Sequence, residues 1–213
     1  MSAPQIAVCM PTTAGRAVSI YWALHLRLLA LPNLSRFLIR SDYRVDSNRE
    51  GLAESALAIP GITHLLWWDD DIWPARNGLA SLLRHRYPVV SGVYRDKQGR
   101  STVMRFANAD RTRIDRLEPP KPGTRLYAEA TGLGWCLVDV RLLRRLPRPW
   151  FRFENTMGED CYFFRRLIET WRIPVLVDGD AACGHEMPTR LRADNVTEPI
   201  WAGLGGPLEV TPT

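Results

Sequence analysis

Short apolar runs alternate with segments of helical spacing along the first 94 residues. Short apolar runs bounded by Pro and Gly are typical of buried strands, whereas apolar residues three and four positions apart predict helices. The predicted strands cover 5–9, 36–40, 62–68 and 87–94, and the predicted helices cover 18–31, 47–59 and 74–85. Ser47 or Asn48 is the expected cap of the second helix, and Pro74 the expected start of the third. This alternation indicates an α/β fold with a mostly parallel, mixed sheet flanked by helices.

The pattern changes after residue 94, where Arg, Asp, Pro and Gly become frequent. Strands are predicted at 102–107, 126–131, 135–138 and 175–177, and helices at 141–146 and 158–171. The residues from 187 onward have no clear period and include Gly-Leu-Gly-Gly-Pro. We therefore expect a single domain over 1–186 and a C-terminal tail or lid over 187–213.

Composition narrows the class of protein without choosing a function. An apolar fraction of 46% and a charged fraction of 24% are ordinary for a globular chain and exclude general disorder. No apolar run approaches the ~20 residues of a membrane span, and the first residues lack the pattern of a signal peptide, so a soluble, cytoplasmic protein is expected. The four cysteines form no C-x-x-C pair, which predicts buried free thiols rather than a zinc or redox site.

A net charge of +5 suits anionic partners such as nucleotides, nucleic acid or lipid headgroups. Only two of the 28 basic residues are lysines, Lys97 and Lys121. The basic and aromatic segment from Arg141 to Arg152 is a candidate contact with a membrane surface or a nucleic-acid backbone, although a solvated basic face is the simpler interpretation.

Three consecutive carboxylates, Asp69, Asp70 and Asp71, directly follow the apolar strand predicted at 62–68. Open α/β sheets bind ligands at this end of their strands, and strand alternation would turn Asp69 and Asp71 the same way. Carboxylates this close repel one another unless a cation or hydrogen-bond donors compensate. Hard oxygen ligands suit Mg²⁺ or Mn²⁺, which can in turn clamp a substrate diphosphate. The alternative is a solvated acidic turn in which one Asp caps the helix predicted at 74–85.

Two acids, Glu159 and Asp160, open the helix predicted at 158–171. They either compensate the helix dipole or provide a general base, whose pKa this position would lower so that it is ionised near neutrality. His185 follows a predicted strand and a glycine, where it is either an ordinary imidazole or a metal ligand that completes a carboxylate site.

Two further features suggest contacts with a ligand. Arg49 lies in the first turn of a predicted helix, where the dipole disfavours a cation unless an anion such as phosphate binds there or an acid pairs with it. The segment 131–135, Thr-Gly-Leu-Gly-Trp, either lets a ligand approach the backbone closely beside Trp135 or forms a tight turn with Trp135 in the core.

The order of these features resembles the small GT-A glycosyltransferases, most closely the inverting enzymes similar to family 2. The resemblance covers residues 6–186. Its elements are an opening strand with Pro11 and Thr12, the Asn48-Arg49 helix, the D-x-D of Asp69 to Asp71, the Tyr-Pro-Val-Val-Ser-Gly strand, the Thr-Gly-Leu-Gly-Trp segment, the Gly-Glu-Asp helix start and the late His185.

The resemblance implies metal-dependent transfer of a sugar from a nucleotide-diphosphate sugar, such as a UDP- or GDP-sugar, to an acceptor hydroxyl, with inversion by a carboxylate base. The acceptor would be a carbohydrate, a lipid-linked molecule or a protein, and no nucleic acid is expected. The resemblance implies a nucleotide-binding half over 1–94 and an acceptor-binding half over 95–186. A metal-dependent nucleotidyltransferase and a non-enzymatic basic module that binds nucleic acid or membrane are the alternatives.

The resemblance also implies a role for each matched residue. The implied ligands of Mn²⁺ or Mg²⁺ are Asp71 and His185, with Asp69 near the ion. The implied nucleotide contacts are Pro11, Thr12, Arg49, Asp69 and Asp70. Asp160 is the implied base, Glu159 would hold the acceptor hydroxyl, and Trp135 would stack on the sugar or acceptor.

Overall fold

The computed structural model describes residues 3–13, 34–74, 77–154, 157–186 and 201–202. The predicted helix at 18–31 and nearly all of the predicted tail at 187–213 lie outside these ranges. The strands are β1 (Ile6–Thr13), β2 (Leu34–Asp42), β3 (His64–Trp68), β4 (Ile72–Pro74), β5 (Val89–Val93), β6 (Met104–Phe106), β7 (Ile114–Arg116), β8 (Arg125–Ala128), β9 (Trp135–Asp139), β10 (Val175–Glu186) and β11 (Trp201–Ala202). The helices are α1 (Val45–Leu57), α2 (Gly78–Arg84), α3 (Val140–Arg145) and α4 (Glu159–Trp171).

One large sheet organises the described residues. Its main order is β11-β10-β5-β9-β3-β1-β2, and β4 and β8 also pair with β10. β1 runs parallel to β2 and β3, and β5 runs parallel to β10. β9 lies antiparallel between β3 and β5, so those two strands share one direction. The predicted mostly parallel, mixed α/β sheet flanked by helices is confirmed.

Apolar side chains fill both faces of this sheet. Along β1, Ile6 and Val8 join one buried cluster, whereas Ala7 and Cys9 join the other. Residues of α1, α3 and α4 belong to the cluster that contains Ala7 and Cys9. Leu79 of α2 belongs to the cluster that contains Ile6 and Val8. Burial on both faces explains why these strands are continuous apolar runs in the sequence rather than alternating ones.

Several predicted element boundaries were wrong. Neither Ser47 nor Asn48 caps α1, which begins at Val45 after Arg44. Pro74 ends β4 and pairs with Cys183 instead of opening a helix, because an edge position beside β10 tolerates a residue without an N–H.

Two strands also differ from the sequence prediction. β10 continues to Glu186, well beyond the predicted 175–177, and resumes its pairing with β5 at Ala182 after an irregularity. β7 was missed, because its residues are exposed or half-buried and therefore give no apolar run.

The cysteine prediction is confirmed, since Cys9, Cys136, Cys161 and Cys183 are all buried and free. Burial raises the pKa of the first three of these thiols. None of the helices in the described ranges is long and apolar enough to span a membrane.

Close packing at the irregularity of β10 explains why residue 92 of β5 is a glycine. A Cβ at Gly92 of β5 would lie 2.1 Å from the carbonyl oxygen of Ala181 and 2.5 Å from Cδ1 of Trp135. Backbone and a buried indole cannot move aside cheaply, so β5 and β10 approach this closely only with glycine at position 92.

We expect Gly92→Ala to lower the free energy of unfolding by about 3 kcal/mol, because the added methyl overpacks the junction of β5 and β10. Gly51→Ala is the matched control: the three atoms nearest its Cβ would belong to the guanidinium of Arg40, which can swing away, and alanine favours the helix. Urea denaturation measures both. Equal midpoints for Gly92→Ala and wild type would contradict the account.

Candidate active site

Asp69, Asp70 and Asp71 each contact a different part of the structure. β3 ends at Trp68, and Asp70 and Asp71 lie in the turn before β4, so strand alternation does not govern their directions. Asp69 contacts Arg49, Asp70 accepts a hydrogen bond from Thr12, and Asp71 contacts Lys97 and His185. The strand alternation that predicts a common direction for Asp69 and Asp71 therefore does not extend to these two residues.

Arg49 of α1 joins two carboxylates that are distant in sequence. Its Nη2 donates to Asp69 at 2.8 and 3.1 Å, and its Nε donates to Oε1 of Glu159 at 2.9 Å. The guanidinium is buried, and its carbon lies 5.4 Å from the ring centroid of Trp67. This bridge ties the end of β3 to the start of α4.

The charges in this bridge are strongly coupled. Burial alone would lower the pKa of Arg49, but the charges of Asp69 and Glu159 raise it above its ordinary value. Burial raises the pKa of Asp69 to about 6 despite Arg49, and the charge of Asp71 adds to this rise. Within the described residues, Nη1 of Arg49 has no hydrogen-bond partner. Arg49 thus has a buried donor left over after pairing with both acids.

The end of β1 is fixed to the same edge of the sheet. The hydroxyl of Thr12 donates to Oδ2 of Asp70 at 2.7 Å. Nδ2 of Asn48 donates to the carbonyl oxygen of Thr12 at 2.9 Å, which explains this residue better than helix capping. Pro11 is buried in β1, opposite Arg40 of β2. The end of β1 and the carboxylate turn are therefore held together by a hydrogen bond.

Asp71, in the turn before β4, faces His185 of β10, the residue that pairs with Ile72. Nε2 of His185 lies 3.4 Å from Oδ2 of Asp71, and Nδ1 donates to the carbonyl oxygen of Arg95 at 2.7 Å. Nζ of Lys97 lies 2.7 Å from the same carboxylate oxygen. Burial would raise the pKa of Asp71, but hydrogen bonds from His185 and Lys97 hold it at about 2. Burial would lower the pKa of His185, but the hydrogen bond to Asp71 raises it.

The donor chemistry of this pair fits a divalent metal. The bond from Nδ1 to a backbone carbonyl fixes the ring orientation and directs Nε2 toward Asp71, as in metal-ligating histidines. Among the described residues, no group of three or more His, Cys, Asp or Glu is placed to hold an ion by itself. Two protein ligands still suffice for Mg²⁺ or Mn²⁺ where substrate phosphates and water supply the rest.

Glu159 and Asp160 differ in their surroundings. Glu159 is buried and engaged by Arg49, whereas Asp160 is half-buried and accepts a hydrogen bond from the backbone N–H of Cys161 at 2.6 Å. Burial and the neighbouring charge of Glu159 raise the pKa of Asp160 to about 6. The expected lowering by the helix terminus was wrong, because desolvation outweighs the dipole here. Asp160 remains mostly ionised near pH 7.

Sequence reasoning missed Tyr94, which lies beside these groups. Its ring packs edge-on against His185 with centroids 6.0 Å apart, and its hydroxyl accepts a hydrogen bond from the backbone N–H of Gly134. A Cβ at Gly132 would lie 2.0 Å from this hydroxyl oxygen. The close backbone approach predicted for the Gly-Leu-Gly segment is therefore to Tyr94. A tyrosine at the end of a predicted strand was the available signal.

Trp135 does not offer the stacking surface that the resemblance implies. It is fully buried and packs edge-on against Trp68, with ring centroids 5.3 Å apart. Gly78 and Gly92 leave room for its indole. Trp135 is thus a core residue beneath the site.

The segment from Arg141 to Arg152 is less basic at its surface than its sequence suggests. Arg141 pairs with Asp139, and Arg148 pairs with Glu50 and Glu54. Arg144, Arg145 and Arg152 are also exposed. The opposite charges weaken the case for this segment as a membrane or nucleic-acid contact.

Comparison with known proteins identifies the fold. No protein-family model and no curated protein matches the sequence. The structure is similar to that of A197 from STIV, with a TM-score of 0.62 and 19% identity over 91% of this chain and 92% of that chain. It is also similar to GalNAc-T7 with UDP, GalNAc and Mn²⁺, with a TM-score of 0.52 and 11% identity over 85% of this chain and 44% of that chain. The sheet order, the helices on both faces and these neighbours establish a GT-A-like fold.

Proposed function

We propose that this protein is a metal-dependent glycosyltransferase that moves a sugar from a nucleotide-diphosphate donor to an acceptor hydroxyl. The observation that carries the proposal is the Asp71–His185 pair at the ligand-binding edge of a GT-A-like sheet, with the imidazole oriented by the Arg95 carbonyl. A neighbour of the same fold contains UDP, GalNAc and Mn²⁺, which supports a UDP- or GDP-sugar as donor.

Asp71 and His185 would hold Mn²⁺ or Mg²⁺. When bound, such an ion stabilises the negative charge that develops on a leaving diphosphate. The low pKa of Asp71 keeps its carboxylate ionised across the physiological range. Hydrogen bonds connect β1, α1 and the carboxylate turn, and the nucleotide would bind against these three elements. The residues that make these bonds include Thr12, Asn48, Arg49 and Asp70.

Asp160 is the proposed general base. It is half-buried at the N-terminus of α4, near enough for its charge to act on Tyr94 and to be affected by Arg49. A pKa of about 6 suits a base that must be ionised near neutral pH yet accept a hydroxyl proton. An acceptor hydroxyl deprotonated by Asp160 would invert the anomeric centre if its oxygen bonds to the anomeric carbon opposite the bond to the leaving diphosphate. We assign Glu159 to positioning through Arg49 rather than to the acceptor.

The donor site gives the first prediction. We expect one of UDP, GDP, CDP and dTDP to bind in the presence of Mn²⁺ or Mg²⁺ and to lose affinity with chelator. Asp71→Asn should weaken this binding by at least about tenfold, because the substitution removes the charge of a proposed metal ligand while the size of the side chain stays the same. Asp115→Asn is the matched control, since Asp115 pairs with Arg105 on the separate β6–β7 sheet. Titration calorimetry measures all three proteins.

Two results would count against this donor site. Diphosphate binding that ignores metal would remove the role of Asp71 and His185. Binding of nucleoside triphosphates alone, with release of pyrophosphate, would identify a nucleotidyltransferase instead.

The base gives the second prediction. With saturating donor, turnover should fall about tenfold per pH unit below pH 6, because Asp160 must be ionised and its pKa is raised to about 6. An Asp of ordinary pKa would shift this limb roughly two units lower. Asp160→Asn should abolish turnover while metal-dependent nucleotide binding persists. Release of nucleoside diphosphate between pH 4.5 and 8 measures the profile; a flat rate down to pH 5 would exclude Asp160 as the base.

The bridge gives the third prediction. Arg49→Met should lower the free energy of unfolding by about 3 kcal/mol at pH 8, since it leaves the Asp69 and Glu159 carboxylates without their cation. The raised pKa of Asp69 means that protonation relieves this repulsion at low pH. Arg49 lowers the pKa of Asp69, so this pKa should lie above 6 in Arg49→Met, and the difference from wild type should shrink as pH falls from 8 toward 6.

Arg44→Met is the control for the bridge, because Arg44 is an exposed arginine beside the same helix and pairs with Asp46. Its effect on the free energy of unfolding should be small at both pH values, because solvent screens this exposed pair. Urea unfolding of wild type and both variants at pH 5 and pH 8 gives the four differences from wild type. A pH-independent loss in Arg49→Met would mean that the residue acts through packing alone.

A further inference from the structure

Lys97 places a positive charge on the proposed metal ligand. Its Nζ lies 2.7 Å from Oδ2 of Asp71, the same oxygen that Nε2 of His185 faces at 3.4 Å. A metal ion held by Asp71 and His185 would need this region of the carboxylate. The ammonium and the metal therefore compete for one carboxylate.

The turn that carries Lys97 is fixed at its backbone. Oδ1 of Asp96 accepts hydrogen bonds from the N–H groups of Gln98 and Arg100, each at 2.9 Å, and Arg95 bridges to Ser101. The side chain of Lys97 is 41% exposed and has a long flexible stem. Only the side chain needs to move for the ammonium to leave Asp71.

The same turn also orients His185, because the carbonyl oxygen of Arg95 accepts the hydrogen bond from Nδ1. One turn thus positions both the imidazole and the competing cation. The residue type fits this role, since lysine is a compact charge that changes partners more readily than arginine's planar fork. The other 26 basic residues besides Lys97 and Lys121 are arginines.

We propose that Lys97 is an exchangeable counter-ion of the metal site, which pairs with Asp71 in the ligand-free protein and moves to the diphosphate when metal and nucleotide bind together. Only the move of Lys97 to the diphosphate rests on the proposed function. Exchange keeps Asp71 neutralised before the ion arrives and supplies a charge-assisted hydrogen bond to a phosphate oxygen afterwards. The site would then bind metal weakly alone and much better with nucleotide.

The test compares two binding reactions in Lys97→Met. Mn²⁺ alone, followed by the loss of the free-ion electron paramagnetic resonance signal, should bind at least about threefold tighter than to wild type, because the competing cation is gone. The nucleoside diphosphate with Mn²⁺, followed by calorimetry, should bind about tenfold more weakly, because a charged donor to phosphate is lost. Opposite changes distinguish exchange from a structural role, which would weaken both.

Three variants make the test specific. Lys121→Met is the matched control, removing the chain's other lysine from an exposed loop, and should change neither affinity. Lys97→Arg should restore the weak binding of Mn²⁺ alone. Adding Asp71→Asn to Lys97→Met should abolish the gain, which assigns that gain to Asp71.

Each half has its own failure. If Mn²⁺ alone binds no tighter to Lys97→Met than to wild type, the competition is overturned. The same holds if neither protein binds Mn²⁺ measurably. If nucleotide affinity is unchanged, the move to the diphosphate is overturned. If wild type binds no nucleoside diphosphate while Lys97→Met gains Mn²⁺ affinity, the proposed function has failed and the competition stands.

Discussion

The buried guanidinium of Arg49 is the interaction on which the rest of the site depends. It compensates Asp69 at the end of β3 and Glu159 at the start of α4, two elements that are far apart in the sequence. Without a cation between them these carboxylates would repel each other in a poorly solvated space. By holding the start of α4 against β3, Arg49 also fixes where Asp160 lies. The proposed base therefore owes its position to a residue of α1.

A second constraint follows from the way the three carboxylates separate. Each carboxylate contacts a different compensating group. Asp69 pairs with Arg49, Asp70 accepts a hydrogen bond from the Thr12 hydroxyl, and Asp71 pairs with Lys97. Three adjacent carboxylates are thus tolerated without any one cation serving them all. One carboxylate faces the helix of the base, one the first strand and one the late histidine. The turn at Asp71 is where a divalent ion and a diphosphate would meet.

The sequence predicted the fold well wherever burial alone decided the structure. β1, β3 and β5 are apolar runs because both faces of the sheet are covered, and this pattern needs no long-range information. Pro74 was misassigned because proline suits both a helix start and an edge strand, and only pairing with β10 decides between them. Lys97 and the carbonyl of Arg95 could not be predicted, since their roles arise from tertiary contacts of their turn with Asp71 and His185. The resemblance found the Asp71–His185 pair, but local rules gave the wrong direction for the pKa of Asp160 because they omit burial.

The central claim is that Asp71 and His185 together form the metal end of a nucleotide site. Its most direct measurement is anomalous diffraction at the manganese edge from a crystal grown with Mn²⁺ and the nucleoside diphosphate that the protein binds. One strong peak is expected between a carboxylate oxygen of Asp71 and Nε2 of His185, with phosphate oxygens completing the coordination. Bound nucleotide with no peak between these two side chains, or with the peak at another group of residues, would contradict it.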